Sequence, residues 1–199
     1  MTGTRPKQRR RPRVRPTREQ TRERILAAAD TVFRERGFHP SRIEEIAERA
    51  GFTKGAVYSS FANKDEIFLD LLVERVAQRS RYVVDKLAQV EPGKARARAL
   101  GVALTDLMDL EPDWPPLLLE FWIHALRDPA LRERLGALRM TLRRSVIEAM
   151  ESDTTLPAEW SATLVFALAN GLGLERITDA RAVPDLLLPT VLERIFAAT

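Results

Sequence analysis

The chain contains no cysteine, so disulfides, thiolate metal sites and a cysteine nucleophile are excluded. It has two histidines, His39 and His124. Glu120 and His124 stand four apart, a helical spacing that suits metal ligation, but neither a third histidine nor a thiolate completes a set, so no metal is expected. No Ser-His-Asp order, phosphate loop or paired-carboxylate arrangement is present, so neither a catalytic residue nor a cofactor is expected. Long hydrophobic runs are missing too. The most apolar stretch, residues 160–174, is interrupted by Ser161, Thr163 and Asn170, and is too short for a membrane span. The positively charged start has no apolar segment behind it, and the expectation is a cytoplasmic protein without a membrane partner.

Acidic residues are absent from positions 1–16, where Arg5, Lys7, Arg9, Arg10, Arg11, Arg13 and Arg15 are interleaved with Pro6, Pro12 and Pro16. Proline blocks a helix there, and the segment reads as a disordered arm. Over residues 1–64 there are 16 Lys and Arg against 7 Asp and Glu, whereas the remainder is net acidic. A basic front end is the footprint of a polyanionic partner, because each cation near a phosphate releases condensed counterions. The other reading of the first 16 residues is a solubilising tail.

What is abundant is helix-forming. Ala, Leu, Arg and Glu dominate, and runs of β-branched residues are scarce. Thr17 with Gln20, Ser41 with Glu44 and Asn63 with Glu66 have the form of capping boxes, and Thr53 is placed to cap a short helix. Ile25, Ala29, Val32 and Phe33 recur at helical spacing up to Gly37; Ile43, Ile46, Ala47 and Ala50 do so before Gly51. Two short helices around that glycine, over about 42–50 and 54–60, predict a helix-turn-helix. A longer helix follows, and further patterns run roughly over 94–110, 115–127, 129–150, 157–177 and 184–198, where Pro189 is expected to kink the last. No convincing strand emerges. The expected fold is all-α with about nine helices.

Between residues 17 and 64 the sequence resembles the TetR family of bacterial regulators, on Ala28, Ala29, Phe33, Gly37, Ile46, Ala47, Ala50, Gly51, Thr53, Gly55, Tyr58, Phe61 and Lys64. The resemblance implies a DNA-binding domain over 17–63 and a ligand-binding and dimerisation domain over 64–199, with the fourth helix joining them. Physical chemistry points the same way. Lys54, Gly55 and Ala56 give a narrow helix profile with one long cation, suited to a major groove about 12 Å wide. Thr53 and Lys54 lie at a helix start, where free N–H groups favour phosphate. Tyr58 reads as a phosphate contact or as a half-buried core aromatic. Lys64 at a helix N-terminus is unfavourable for the dipole, and an external anion would relieve that cost. Ser41 is expected to cap first and contact phosphate second. Arg42 replaces the small hydroxyl residue usual in the pattern and could reach phosphate or a base edge. Arg13 and Arg15 could follow the minor groove.

In the body, Met108, Trp114, Leu118, Phe121, Trp122 and His124 lie on or near the helices that, by the resemblance, line a ligand cavity. Each is equally readable as ordinary core. Leu164, Leu168, Gly171 and Leu172, with Val191 and Ile195 on the last helix, are expected to form a four-helix dimer interface, since the apolar positions wrap more than one face. The whole predicts a sequence-specific, homodimeric transcriptional regulator, a repressor released from a double-stranded inverted-repeat operator by a small apolar effector. The alternatives are a sequence-independent DNA-compacting protein and, with less support, a small-molecule carrier or enzyme.

Overall fold

A computed structural model describes residues 16–150 and 156–196; Arg13 and Arg15 lie outside them. Nine helices and no strand occur among the described residues: α1 (Arg18–Arg36), α2 (Ile43–Ala50), α3 (Lys54–Tyr58), α4 (Lys64–Leu87), α5 (Lys94–Leu110), α6 (Trp114–Leu126), α7 (Pro129–Met150), α8 (Ala158–Thr178) and α9 (Leu187–Phe196). No helix among them is long and apolar enough to cross a membrane.

Capping explains most of the starts. Thr17 and Gln20 satisfy each other's main-chain N–H groups at 3.0 and 3.2 Å, and Asn63 Oδ1 accepts from Glu66 N at 2.9 Å. The second capping box falls one residue later than its spacing suggests. Helix α2 begins at Ile43, and Glu45 accepts from the N–H of Arg42 at 3.2 Å. Ser41 is buried instead, its hydroxyl donating to Gly37 O at 2.6 Å. The reason is local: Phe38 must enter the core, and the turn that carries it inward takes Ser41 along. Gly37 supplies that turn with φ +84°, a conformation a side chain would strain.

Pro189 does not kink α9. It is the third residue of a helix that starts at Leu187, where no intrahelical N–H is required of it. Its backbone also packs closely on α5. A Cβ on Gly101 of α5 would come within 2.4 Å of Pro189 Cα, so only glycine lets α5 and α9 meet there.

Two apolar clusters hold the molecule. One gathers α1, α2, α3 and the first half of α4, and continues without a break into Trp114, Leu117, Leu118 and Phe121 of α6 and Leu131 and Leu135 of α7. The other joins the end of α4 to α5, α8 and α9. The front three helices therefore share their core with the body. Phe121 stacks on Phe68 at 4.2 Å and meets Phe38 edge-on at 5.1 Å.

Candidate DNA-recognition face and effector cavity

Helix α3 is held from beneath. Val57 and Phe61 are fully buried, and Thr53 Oγ1 caps the helix by accepting from Ala56 N at 3.2 Å. Arg22 braces the turn that follows, donating to Ser60 O at 2.7 Å, pairing with Asp70 and covering the Phe61 ring at 4.2 Å. Arg24 does the same for the preceding turn, donating to Ala50 O at 2.8 Å and lying over Phe52. Neither arginine stood out in the sequence, because a bracing cation and a solvated one look alike until the turns they span are in place.

The opposite side of α3 faces solvent. Thr53, Lys54, Gly55 and Tyr58 are all exposed, and Tyr58 retains 46% of its surface, so it is not a core aromatic. Gly55 has ordinary helical surroundings, and a Cβ there would touch only Thr53 Oγ1 at 3.9 Å. The fold makes no demand for glycine at this position. Lys54 pairs with Glu44 of α2, which holds the lysine pKa up and the glutamate pKa down through their hydrogen bond. Arg42 is exposed beside this pair at the start of α2.

Lys64 and Ser41 are placed otherwise than expected. The Lys64 ammonium donates to the carbonyls of Phe38, His39 and Ser41 at 2.7, 3.1 and 3.1 Å and sits 4.4 Å from the Phe38 ring. All three donors are thereby used, and burial pushes its pKa down. The dipole cost at the head of α4 is offset by loop carbonyls and needs no phosphate. With Ser41 turned inward as well, both residues shape the loop before α2.

Helix α6 grips that same loop. Glu120 Oε2 accepts from Phe38 N at 2.8 Å, and His124 donates from Nε2 to Asp65 Oδ1 at 3.0 Å while meeting His39 edge-on. Glu120 and His124 thus each have partners from the front helices. Phe121 and His124, expected at the ligand cavity, stand at this junction instead, because one face of α6 is turned to the DNA-binding helices and the other to the body.

The cavity lies on that second face, between α4, α5, α6, α7 and α8. It encloses about 160 Å³. Met108, Trp114, Leu118 and Trp122 line it, as do Arg79 and Arg139, which sequence reasoning missed. Trp114 and Leu118 also belong to the core shared with the front helices, so one wall of the cavity is continuous with the support of α3. A buried ion network runs alongside. Arg75, with 9% of its surface exposed, pairs with Asp30 of α1 and with Glu111 and lies over the Trp114 ring. Burial opposes the charge on Arg75, but its bonds to Asp30 and Glu111 outweigh this and raise its pKa.

On α8, Trp160, Leu164, Ala167 and Gly171 recur on one exposed face, with Trp160 at 64% and a Cβ on Gly171 meeting nothing. Leu168 and Leu172, and Ile195 of α9, are half-buried against the second core, and Val191 is half-buried beside them.

The family model described as bacterial regulatory proteins of the tetR family matches residues 25–71, and the tetracyclin repressor-like C-terminal domain matches residues 93–198. The HTH-type transcriptional activator FasR of Mycolicibacterium smegmatis is 32% identical over 151 residues, covering 76% of this chain and 68% of its own. A putative transcriptional regulator from Streptomyces coelicolor A3(2) has the same fold, with a TM-score of 0.73 at 22% identity over 90% of this chain and 99% of that one. So does FadR from Bacillus subtilis in complex with stearoyl-CoA, with a TM-score of 0.68 at 17% identity over 88% and 97%. The exposed face of α3, the helical body behind it and matches that run through both parts agree, and the chain belongs to the TetR family of bacterial DNA-binding transcriptional regulators.

Proposed function

We propose that the protein works in the cytoplasm as a homodimer that sets the α3 helices of its two protomers into successive major grooves, about 34 to 36 Å apart, on an inverted-repeat operator. The observation that carries this is the division of α3 into a buried side, Val57 with Phe61 behind it, and an exposed side of Thr53, Lys54, Gly55 and Tyr58. A glycine that the fold itself does not require fits close approach to an outside surface. Thr53 and Tyr58 contact the phosphate backbone, Lys54 and Gly55 enter the groove, and Arg42 reaches phosphate from the start of α2. Arg13 and Arg15 are assigned to the adjacent minor groove on charge alone. Ser41 and Lys64 act indirectly, through the loop. The apolar face of α8, with Leu164 and Gly171 at its centre and Leu168, Leu172, Val191 and Ile195 beneath and beside it, pairs the protomers.

The cavity receives a small effector with a large apolar part, and control is by repression, the bound dimer occluding promoter DNA until the effector releases it. Tenfold weaker operator binding requires about 1.4 kcal/mol of coupling. The wall shared by the cavity and the α3 support, and the Arg75 bridge to Asp30 of α1, supply a route for it. A solved neighbour, FadR from Bacillus subtilis, carries stearoyl-CoA, an apolar-tailed ligand, on the same fold.

Selection of bound sequences from a random DNA pool tests this reading. Enrichment of an inverted repeat with half-sites about one helical turn apart is expected. Uniform recovery of all sequences would identify a sequence-independent DNA-binding protein instead.

A further inference from the structure

The effector cavity is apolar over most of its wall, yet two arginines, Arg79 and Arg139, line it. Arg139 of α7 lies 4.1 Å over the Trp122 ring. Arg143, a like charge, lies near, and that repulsion adds to burial in pushing its pKa down. Arg79 of α4 is half-buried, and burial likewise lowers its pKa. The carboxylate nearest to it is divided. Glu111 gives one oxygen to Arg75 in a short hydrogen bond, while the other lies 3.7 Å from Arg79 and makes no hydrogen bond. Trp122, whose ring lines the wall, has its Nε1 buried without a hydrogen bond and shielded from the cavity.

Shielding a cation from water is costly unless a partner compensates it. A cavity meant for a neutral hydrocarbon would be cheaper to build with leucine at both positions. An apolar wall with two under-compensated arginines is instead complementary to a molecule with an apolar body and one anionic head. A cavity of roughly 150 Å³ holds a benzene ring, so the space here admits one ring or a medium alkyl chain.

Resting on the effector reading above, we propose that the cavity takes a small apolar monocarboxylate, one ring or a medium alkyl chain, with its carboxylate at Arg79 and Arg139. Head and body are separable in the test. Titration calorimetry of the full chain is performed with octanoate and 4-methylbenzoate, with their neutral amides octanamide and 4-methylbenzamide, and with octylamine. At least one carboxylate is expected to bind about tenfold or more tightly than its own amide, with octylamine weaker still. Arg139→Gln and Arg79→Gln are each expected to bring carboxylate and amide to within about threefold of one another, and Arg139→Lys to keep most of the preference. Retained helical circular dichroism identifies the variants that remain folded, and the wild-type comparison stands without them. Equal binding of carboxylate and amide to the wild type would overturn the anionic head while leaving an apolar effector in place. A preference that survives both glutamine variants would overturn the assignment to these arginines. Failure of every probe to bind would overturn the inference, while the effector reading would still be decided by whether other apolar molecules release the operator.

Discussion

The main-chain N–H of Phe38 donates to Oε2 of Glu120 across 2.8 Å, joining the loop before α2 to the helix that walls the cavity. Glycine at 37 is part of the same contact, because a Cβ there would lie 2.8 Å from Glu120 Oε1. One carboxylate thus ties the position of the helix-turn-helix to the body.

Glu120→Ala leaves the Phe38 N–H without its partner and should destabilise the fold by about 1 to 3 kcal/mol. Urea denaturation measures it. Glu120→Gln keeps an acceptor and should recover much of the loss. Operator affinity should fall with the alanine variant although residue 120 lies away from the exposed face of α3.

Lys64→Ala and Tyr58→Phe should separate cleanly. Removing the Lys64 ammonium strands three carbonyls and should cost about 1 to 3 kcal/mol of stability, with the salt dependence of operator binding unchanged. Tyr58→Phe should leave stability within about 0.5 kcal/mol, as an exposed position, and weaken operator binding by about 1 kcal/mol. Thermal melts and fluorescence anisotropy over a salt series distinguish the two. A shallower salt slope for Lys64→Ala would place its ammonium on the DNA after all.

Glu44 holds Lys54 in the free protein. Near a phosphate backbone the carboxylate repels what the lysine attracts, so Glu44→Gln should strengthen binding to operator and to scrambled DNA alike. The salt slope should steepen, as a freed lysine displaces a further counterion. Anisotropy with both DNAs checks it, and weaker binding would show that Glu44 positions Lys54 for the operator.

Gly171→Arg places a charged side chain where the protomer itself has open space. The isolated fold should tolerate it, with helical circular dichroism retained. The dimer should not, and sedimentation velocity should report half the wild-type mass, with operator affinity reduced by at least about tenfold, because a single half-site carries less of the binding energy. An unchanged dimer would move the pairing surface off this face of α8.

The local code was legible wherever one residue acts on its near neighbours. Thr17, Thr53 and Asn63 cap as their spacing requires, and Val57 and Phe61 seat α3 as their period requires. Ser41 departed from its pattern because a core aromatic, Phe38, three residues earlier, controlled the turn. Pro189 read as a kink because the helix start was placed too early. At the ligand cavity, Met108, Trp114, Leu118 and Trp122 were recognisable as apolar residues on the appropriate helices, whereas Phe121 and His124 belong to the other face of α6.

The sequence by itself determined the helices, their caps, the basic front end and the family signature, since each is written in spacings of a few residues or in composition. Tertiary structure alone decided how the charged groups are spent. Lys64 and Lys54 are both basic residues near helix starts, yet one is consumed by three loop carbonyls and the other stands exposed beside Tyr58. Arg75 bridges α1 to Glu111, while Arg139 lines a cavity with its guanidinium over the Trp122 ring. A cation's role depends on which carbonyls, carboxylates and rings approach it from distant parts of the chain, and residue spacing carries no record of that approach.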